Sequence, residues 1–266
     1  MDKIFKFFKR EWANLTFQKS IPLSLDQPII SFTFDDAPSS AFVNGGGILE
    51  KYGFAGTFYI ALTFLDKKDS TVSFSKEELE NALANQHELA CHTYSHIDLS
   101  KTRLSKSKAD IKHNQAVLSA LFPQLSFKNF SYPFGAKTRG IKVFLSKEFR
   151  SARGIGHGLN LNKADLANLK TVKLYKDRYT LEEINQQIEK AIAENAWLIF
   201  YTHDVCEQAT PYGCIPAYFE AVVKTCAERR LKVLTIDKAL NKIEAITGVS
   251  LSSFLSIFEL LDFSIL

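Results

Sequence analysis

Two histidines four residues apart, His92 and His96 in the run Cys-His-Thr-Tyr-Ser-His, are the first groups in this 266-residue chain whose spacing suggests chemistry. On a helical turn, residues i and i+4 share one face at a separation of about 6 Å, within reach of a single cation. The same spacing also occurs in surface or helix-capping histidines, so the pair needs a companion. One is present in Thr33-Phe34-Asp35-Asp36, where an apolar run ends abruptly at two carboxylates. Adjacent residues leaving a strand diverge, so one aspartate can bind metal while the other faces a substrate cavity. Taken alone, the pair could as well be a solvated turn or the N-cap of a helix. Two histidines and a carboxylate form a three-ligand set with a position left for water, as in catalytic zinc sites. A third cluster, Trp197-Leu-Ile-Phe-Tyr-Thr-His203-Asp204, is an apolar strand that ends in a histidine. An imidazole with an ordinary pKa of about 6.5 can protonate a leaving nitrogen at neutral pH. Asp204 either orients that histidine or caps its loop.

Strands must bring these clusters together. Pro28 to Phe34 reads as a buried strand ending at the aspartates, and Gly56 to Ile60 as the next. Between them Gly45, Gly46 and Gly47 suggest a turn before a short helix. Ser75 and Glu78 form a capping-box pattern that opens a helix, and His87 to Cys91 is a short strand. A long helix from Ser105 to Leu121 precedes a strand from Phe127 to Tyr132, stopped by Pro133 and Gly135. Further strands are expected at Ser151 to Ile155, Thr171 to Leu174, Trp197 to Thr202 and Leu231 to Ile236. Helices from Leu181 to Asn195 and Pro216 to Arg230 flank the third of these. Alternating strands and helices imply a parallel sheet. Polar clusters recurring just past strand ends favour a barrel, whose active sites assemble there.

Composition sets outer limits. Apolar residues at 46% and charged residues at 23% fit a globular enzyme and exclude disorder or a fibrous repeat. A formal charge of +4 over this length argues against a nucleic-acid partner, while leaving room for contact with acidic lipid or phosphate. The four cysteines show no CxxC spacing, so neither a zinc knuckle nor a redox motif is indicated. Cys206 and Cys214 could bridge a loop, but reduced thiols are expected without a secretory signal. The N-terminal stretch lacks a continuous apolar core and a cleavage site. It reads as a basic amphipathic extension over 1–27, whose first part could form a helix lying on a membrane surface or packed on the domain. A catalytic domain follows over 28–245, then an apolar helix or tail over 246–266 that could pair two copies of the chain. A cytoplasmic setting is the expectation, with contact at the inner membrane surface left open.

In their order along the chain, these motifs resemble the polysaccharide deacetylase family, also called the NodB-homology group or carbohydrate esterase family four, over roughly Ile29 to Leu240. The resemblance implies a distorted (β/α) barrel with about seven parallel strands, a divalent cation such as Zn2+, and release of acetate from N-acetylated sugars. It implies Asp35 as catalytic base, Asp36, His92 and His96 as metal ligands, and His203 as acid. The segment Ser131-Tyr132-Pro133-Phe134-Gly135 resembles the family's third motif, which would form a groove wall and offer backbone N–H groups to an oxyanion. Leu198 would belong to an apolar patch for the acetyl methyl. The family's third motif normally carries an arginine that pairs with the catalytic aspartate, where this chain has Ser131. Arg150 or Arg153 could replace it, and Arg153 is also a candidate substrate contact. The usual aspartate-tryptophan motif that orients the histidine is missing. Two other functions are open: a cyclic amide or formamide hydrolase on the same scaffold, and an inactive sugar-binding domain. Tyr212-Gly213-Cys214 should shape the cavity mouth, and Cys214 is not needed as a ligand because the set is complete without it.

Overall fold

A computed structural model describes residues 16–67 and 71–251. Most of the N-terminal amphipathic stretch and the apolar run beyond residue 251 lie outside the described residues.

The described residues form ten strands: β1 (Ser20–Leu23), β2 (Ile29–Asp35), β3 (Thr57–Ile60), β4 (Glu88–Cys91), β5 (Asn129–Ser131), β6 (Ser151–His157), β7 (Asn162–Asp165), β8 (Leu169–Lys173), β9 (Trp197–Thr202) and β10 (Lys232–Val233). Seven of them, in the order β2-β3-β4-β5-β6-β8-β9, run parallel and close when β9 pairs with β2 from Ile29↔Trp197 to Phe34↔Thr202. This is the closed (β/α) barrel expected from the sequence, and closure leaves the ring itself without an exposed edge. The ring is irregular. β4 and β5 meet at the single register pair Cys91↔Phe130, and the β6–β8 register shifts between Arg153 and His157. β10 adds two residues beside the start of β2, while β1 pairs antiparallel with β7 outside the ring.

Every residue of β2 and of β9 is buried, because one barrel face looks into the lumen and the other lies under helices. Period-2 alternation then sorts side chains between two apolar clusters rather than between core and water. Ile30, Phe32 and Phe34 of β2, with Leu198 and Phe200 of β9, face the helices. Phe34 stacks on Phe58 with ring centroids 4.6 Å apart, and Phe58 on Phe42 at 4.4 Å. Ile29, Leu169, Trp197 and Ile199 belong to the second cluster, which closes the lower end against β1 and a C-terminal helix.

The helices are α1 (Gly47–Lys51), α2 (Lys76–Ala84), α3 (Leu104–Leu121), α4 (Arg139–Glu148), α5 (Leu181–Ala193), α6 (Pro216–Glu228) and α7 (Ile236–Thr247). The capping box anticipated at Ser75 and Glu78 is formed, and Thr180 with Glu183 repeats it at α5. The three glycines read as a turn instead lie in helix, since a wide turn over Ala41–Gly46 runs straight into α1. A Cβ at Gly45 would come within 2.6 Å of the Phe34 ring, so glycine there permits close approach to the barrel rather than a reversal of direction. All four cysteines are free thiols.

Candidate active site

The top layer of the barrel lumen is polar. Asp35, Tyr59, Ser131, Arg153 and Tyr201 come from β2, β3, β5, β6 and β9, His92 follows β4 directly, and each is at most 3% exposed. Above this layer, Asp36 Oδ1 lies 3.0 Å from His96 Nε2 and 3.6 Å from His92 Nε2. One ligand atom from each of the three residues lies within 4.8 Å of the others. Asp36 Oδ1 is buried and receives no hydrogen bond of acceptable geometry, so a carboxylate oxygen is aimed at the point on which two imidazoles converge. That donor set, two nitrogens and one oxygen, fits a divalent cation with a position left open.

The histidines reach this point from a loop, not from the helical turn their spacing suggested. β4 stops at Cys91, and Thr93 and His96 take positive φ of 62° and 50°. Asp36 and Phe134 do the same at 58° and 59°. Non-glycine residues seldom occupy this region, and such residues gather at functional sites where the surroundings hold them. Asp110 helps by accepting the backbone N–H groups of Tyr94 at 2.8 Å and Ser95 at 3.1 Å.

His92 is set for ligation by its other nitrogen. Its Nδ1 lies 3.0 Å from the Ser131 carbonyl oxygen and 2.5 Å from Ser131 Oγ, so Nδ1–H donates to Ser131 and Nε2 keeps its lone pair toward Asp36. Burial pushes the His92 pKa down to about 4, despite Asp35 and Asp36 nearby, which leaves it neutral at pH 7. Burial works against ionised Asp36 too, but His96 and His92 hold its pKa at about 2. Ser131 Oγ–H in turn donates to Asp35 Oδ1 at 3.2 Å.

Arg153 fills the place left by the missing arginine. Its Nη2 donates to Asp35 Oδ1 in a fully buried ion pair, and its Nη1 donates to the Gly154 carbonyl at 2.7 Å. The guanidinium lies between Tyr59 and Tyr201, 5.1 and 4.7 Å from the ring centroids. Burial disfavours charge on Asp35, but Arg153, with His92 and His203 close by, outweighs it and holds the carboxyl below the usual carboxylate range. Ser131 and Arg153 are register partners on neighbouring strands. The arginine has therefore moved one strand along the ring while its guanidinium still reaches Asp35. Arg150 does not share this role, because it is tied to Asp237 and Glu244 at the other end of β6.

His203 stands at the end of β9 beside the rings of Tyr175 and Tyr212, at 5.6 and 5.7 Å. Its Nδ1–H donates to the Tyr212 carbonyl at 3.2 Å, and the same oxygen accepts the His203 backbone N–H at 3.2 Å. A backbone carbonyl thus takes the orienting role of the missing aspartate and leaves Nε2 available. Asp204 caps the loop. Its carboxylate accepts Thr210 N–H at 2.7 Å and Thr210 Oγ1–H at 2.6 Å, and a Cβ at Gly213 would fall 2.2 Å from Asp204 Oδ1. Removing that carboxylate by Asp204→Ala is expected to cost about 1–3 kcal/mol of stability. It should also lower turnover without loss of metal, as read by denaturant unfolding, acetate assay and metal analysis.

Of the six residues expected to contact substrate, five are buried. Leu198 is buried under helices and pairs with Ile30 near the start of β2, far below the mouth. Tyr132 is 1% exposed and its hydroxyl donates to the Ala167 carbonyl at 2.8 Å. Arg153 is wholly buried on Asp35 and cannot meet a substrate. Pro133 and Gly135 are buried as well, and the N–H groups of Tyr132 and Gly135 are spent on the carbonyls of Arg153 and Tyr132. Phe134 alone of that segment projects into solvent, 65% exposed, with its ring 4.5 Å from that of His96.

Residues 24–152 match the polysaccharide deacetylase family. The resemblance read from the motifs is borne out over that segment, which carries Asp35, Asp36, His92 and His96. A bifunctional xylanase/deacetylase from Pseudobutyrivibrio xylanivorans is 34% identical over 86 residues, which cover 32% of this chain and 13% of that protein. Among solved structures, a family 4 acetyl xylan esterase from Clostridium thermocellum in complex with a cobalt ion superposes with a TM-score of 0.57 at 17% identity, covering 84% of this chain and 93% of its own. A CE4 family pseudoenzyme from Bacillus anthracis gives 0.59 at 12% identity, covering 82% and 67%. At these identities the structural likeness speaks for the polysaccharide deacetylase fold.

Proposed function

We propose that this chain removes N-acetyl groups from an amino sugar of a polysaccharide or carrier-linked glycan, using a divalent cation at Asp36, His92 and His96. The observation that carries this reading is the convergence of those three side chains above a buried, ionised Asp35. A cation held there would polarise the acetyl carbonyl and acidify a water molecule. Asp35 takes the proton from the attacking water, with its carboxylate fixed by Arg153 and Ser131. His203, aligned by the Tyr212 carbonyl, gives a proton to the departing nitrogen. An amide needs that proton because an amine leaves as a neutral molecule, not as an anion. Zinc suits the donor set, as nitrogen and carboxylate ligands with an open position are its catalytic arrangement.

The reading as an inactive sugar-binding domain rested on the missing arginine, and Arg153 removes that motive. A cyclic amide hydrolase would use the same groups and is tested alongside. Metal-loaded protein, incubated with N-acetylated sugars and separately with ring amides, should release acetate from the first and leave the second intact. Chelation should abolish release and zinc should restore it. His92→Ala should lose both metal and turnover, whereas metal retained at wild-type stoichiometry in that variant would overturn the ligand assignment. Placement at the inner face of the cell membrane is part of the proposal, and fractionation would check it. No described helix is long and apolar enough to cross a membrane.

A further inference from the structure

The formal charge of +4 hides an uneven distribution. Between Lys101 and Lys147 the chain carries ten lysines and arginines against one acidic residue, Asp110, so the remainder is net acidic. This segment contains α3 and α4, which lie side by side and run in the same direction. A Cβ at Gly140 would come 3.3 Å from the Leu104 side chain, and Lys108 Nζ lies 5.1 Å from the centroid of the Phe144 ring. Their first turns therefore stand level, at the end of the barrel toward which the strands run and where the candidate active site opens. Arg103, Lys106 and Arg139 are exposed there and take part in no ion pair among the described residues. Neither helix has an acidic residue in its first turn, whereas α2, α5 and α7 each do. Cations at the positive end of a helix dipole cost stability unless an anion offsets them. Two large apolar side chains project from the same sector, Leu104 at 41% and Phe134 at 65% exposed, the second with its ring against His96. Residues 1–15 join the fold at this side as well, because Arg139 Nε–H donates to the Thr16 carbonyl at 3.4 Å.

We propose that this sector docks on an anionic lipid bilayer, with Arg103, Lys106 and Arg139 at the lipid phosphates and Leu104 and Phe134 in the interfacial layer, so that one side of the barrel mouth rests on the membrane. The proposal gives a surface to the membrane placement argued above and rests on that reading. Each basic side chain near an acidic leaflet strengthens binding about fivefold. Apolar side chains among them gain by leaving water for the boundary between headgroups and acyl chains. A nucleic-acid backbone would meet the same cations but leave Leu104 in water, which is why a bilayer is the better match. The sequence that joins at Thr16 has the same character, with Lys3, Lys6 and Lys9 set among Phe5, Phe7 and Phe8.

The test is cosedimentation of the full chain with vesicles of phosphatidylcholine containing about 30% phosphatidylglycerol, and with phosphatidylcholine alone. Wild type should bind the first and not the second, and salt at about 1 M, which screens charges beyond about 3 Å, should release most of it. Reversing two charges in the sector, Arg103→Glu with Arg139→Glu, should weaken binding at least about 25-fold, two steps of the per-residue factor. Glutamate suits the start of a helix, so this variant should fold. The same change at the far end of the barrel, Arg229→Glu with Arg230→Glu beyond α6, should leave binding within about threefold of wild type, since charges there lie more than a screening length from the lipid. Leu104→Ser alters no charge and should weaken binding about fivefold; it keeps the test open should the sector pair fail to fold. A wild type that ignores anionic vesicles, a sector pair that binds as wild type does, equal loss in the two pairs, or no effect of Leu104→Ser would overturn the proposal. Binding to a nucleic-acid duplex but not to vesicles would do the same. The readout needs neither acetate release nor a cation, so it stands apart from the proposed reaction. Vesicle binding through this sector, by a chain that fractionates with the soluble proteins, would sink the cellular placement and leave the surface standing.

Discussion

Asp35→Asn is expected to keep its cation and lose about 10²–10⁴-fold in acetate release, the range in which a positioned general base contributes. Asparagine preserves the shape of the side chain and can still accept from Arg153 and Ser131, so the barrel lumen should hold together. What disappears is the basic oxygen. Asp36 cannot replace it, because its free oxygen is directed at the convergence of His92 and His96. Steady-state acetate release and metal content, measured on the same preparation, separate this outcome from loss of the site. Turnover close to wild type would remove Asp35 from proton transfer.

Arg153→Met should be the most damaging single change outside the ligand set. It leaves Asp35 buried without its cation, and breaking one side of a buried ion pair costs about 3–5 kcal/mol. Asp35 and Arg153 are 3% and 0% exposed, so water cannot easily substitute. Denaturant unfolding should show the loss, and turnover should fall with it because the Asp35 carboxylate is no longer held. Since Ser131 and Arg153 face each other across β5 and β6, the exchange Ser131→Arg with Arg153→Ser places a guanidinium in the same layer from the other strand. Part of the lost stability and turnover should return in the exchange variant. If Arg153→Met unfolds at the wild-type denaturant concentration, the pair contributes nothing and the relocated-arginine account fails.

The parts of this site that were legible in sequence are those carried by residue identity at a strand end. Continuous apolar runs announced β2 and β9, and the aspartates and His203 at their ends followed. His92 and His96 were also recognisable as a pair, but not their conformation, because a loop in left-handed backbone gives the same i, i+4 spacing as a helix. Arg153 could be named only as one of two substitutes, since strand register decides which of two arginines three residues apart looks into the lumen. The carbonyl of Tyr212 left no trace in the sequence, as every residue has one. Farther out, β1 and β7 pair Ser20 with Asp165, and no local pattern reports so distant a partner. The run from Leu231 to Ile236 was read as a strand, yet only Lys232 and Val233 pair before α7 begins.

The cluster of positive φ angles at Asp36, Thr93, His96 and Phe134 has a bearing on attempts to make the chain more heat-resistant. Each such residue costs roughly 1–3 kcal/mol, so glycine at these points would relax the backbone. At two of them it would also delete a proposed ligand, and at Phe134 it would remove the exposed ring beside His96. The strained backbone at the site therefore cannot be smoothed out, and gains in robustness are open instead at positive-φ residues away from it, such as Gln86, Asn195 and Arg230.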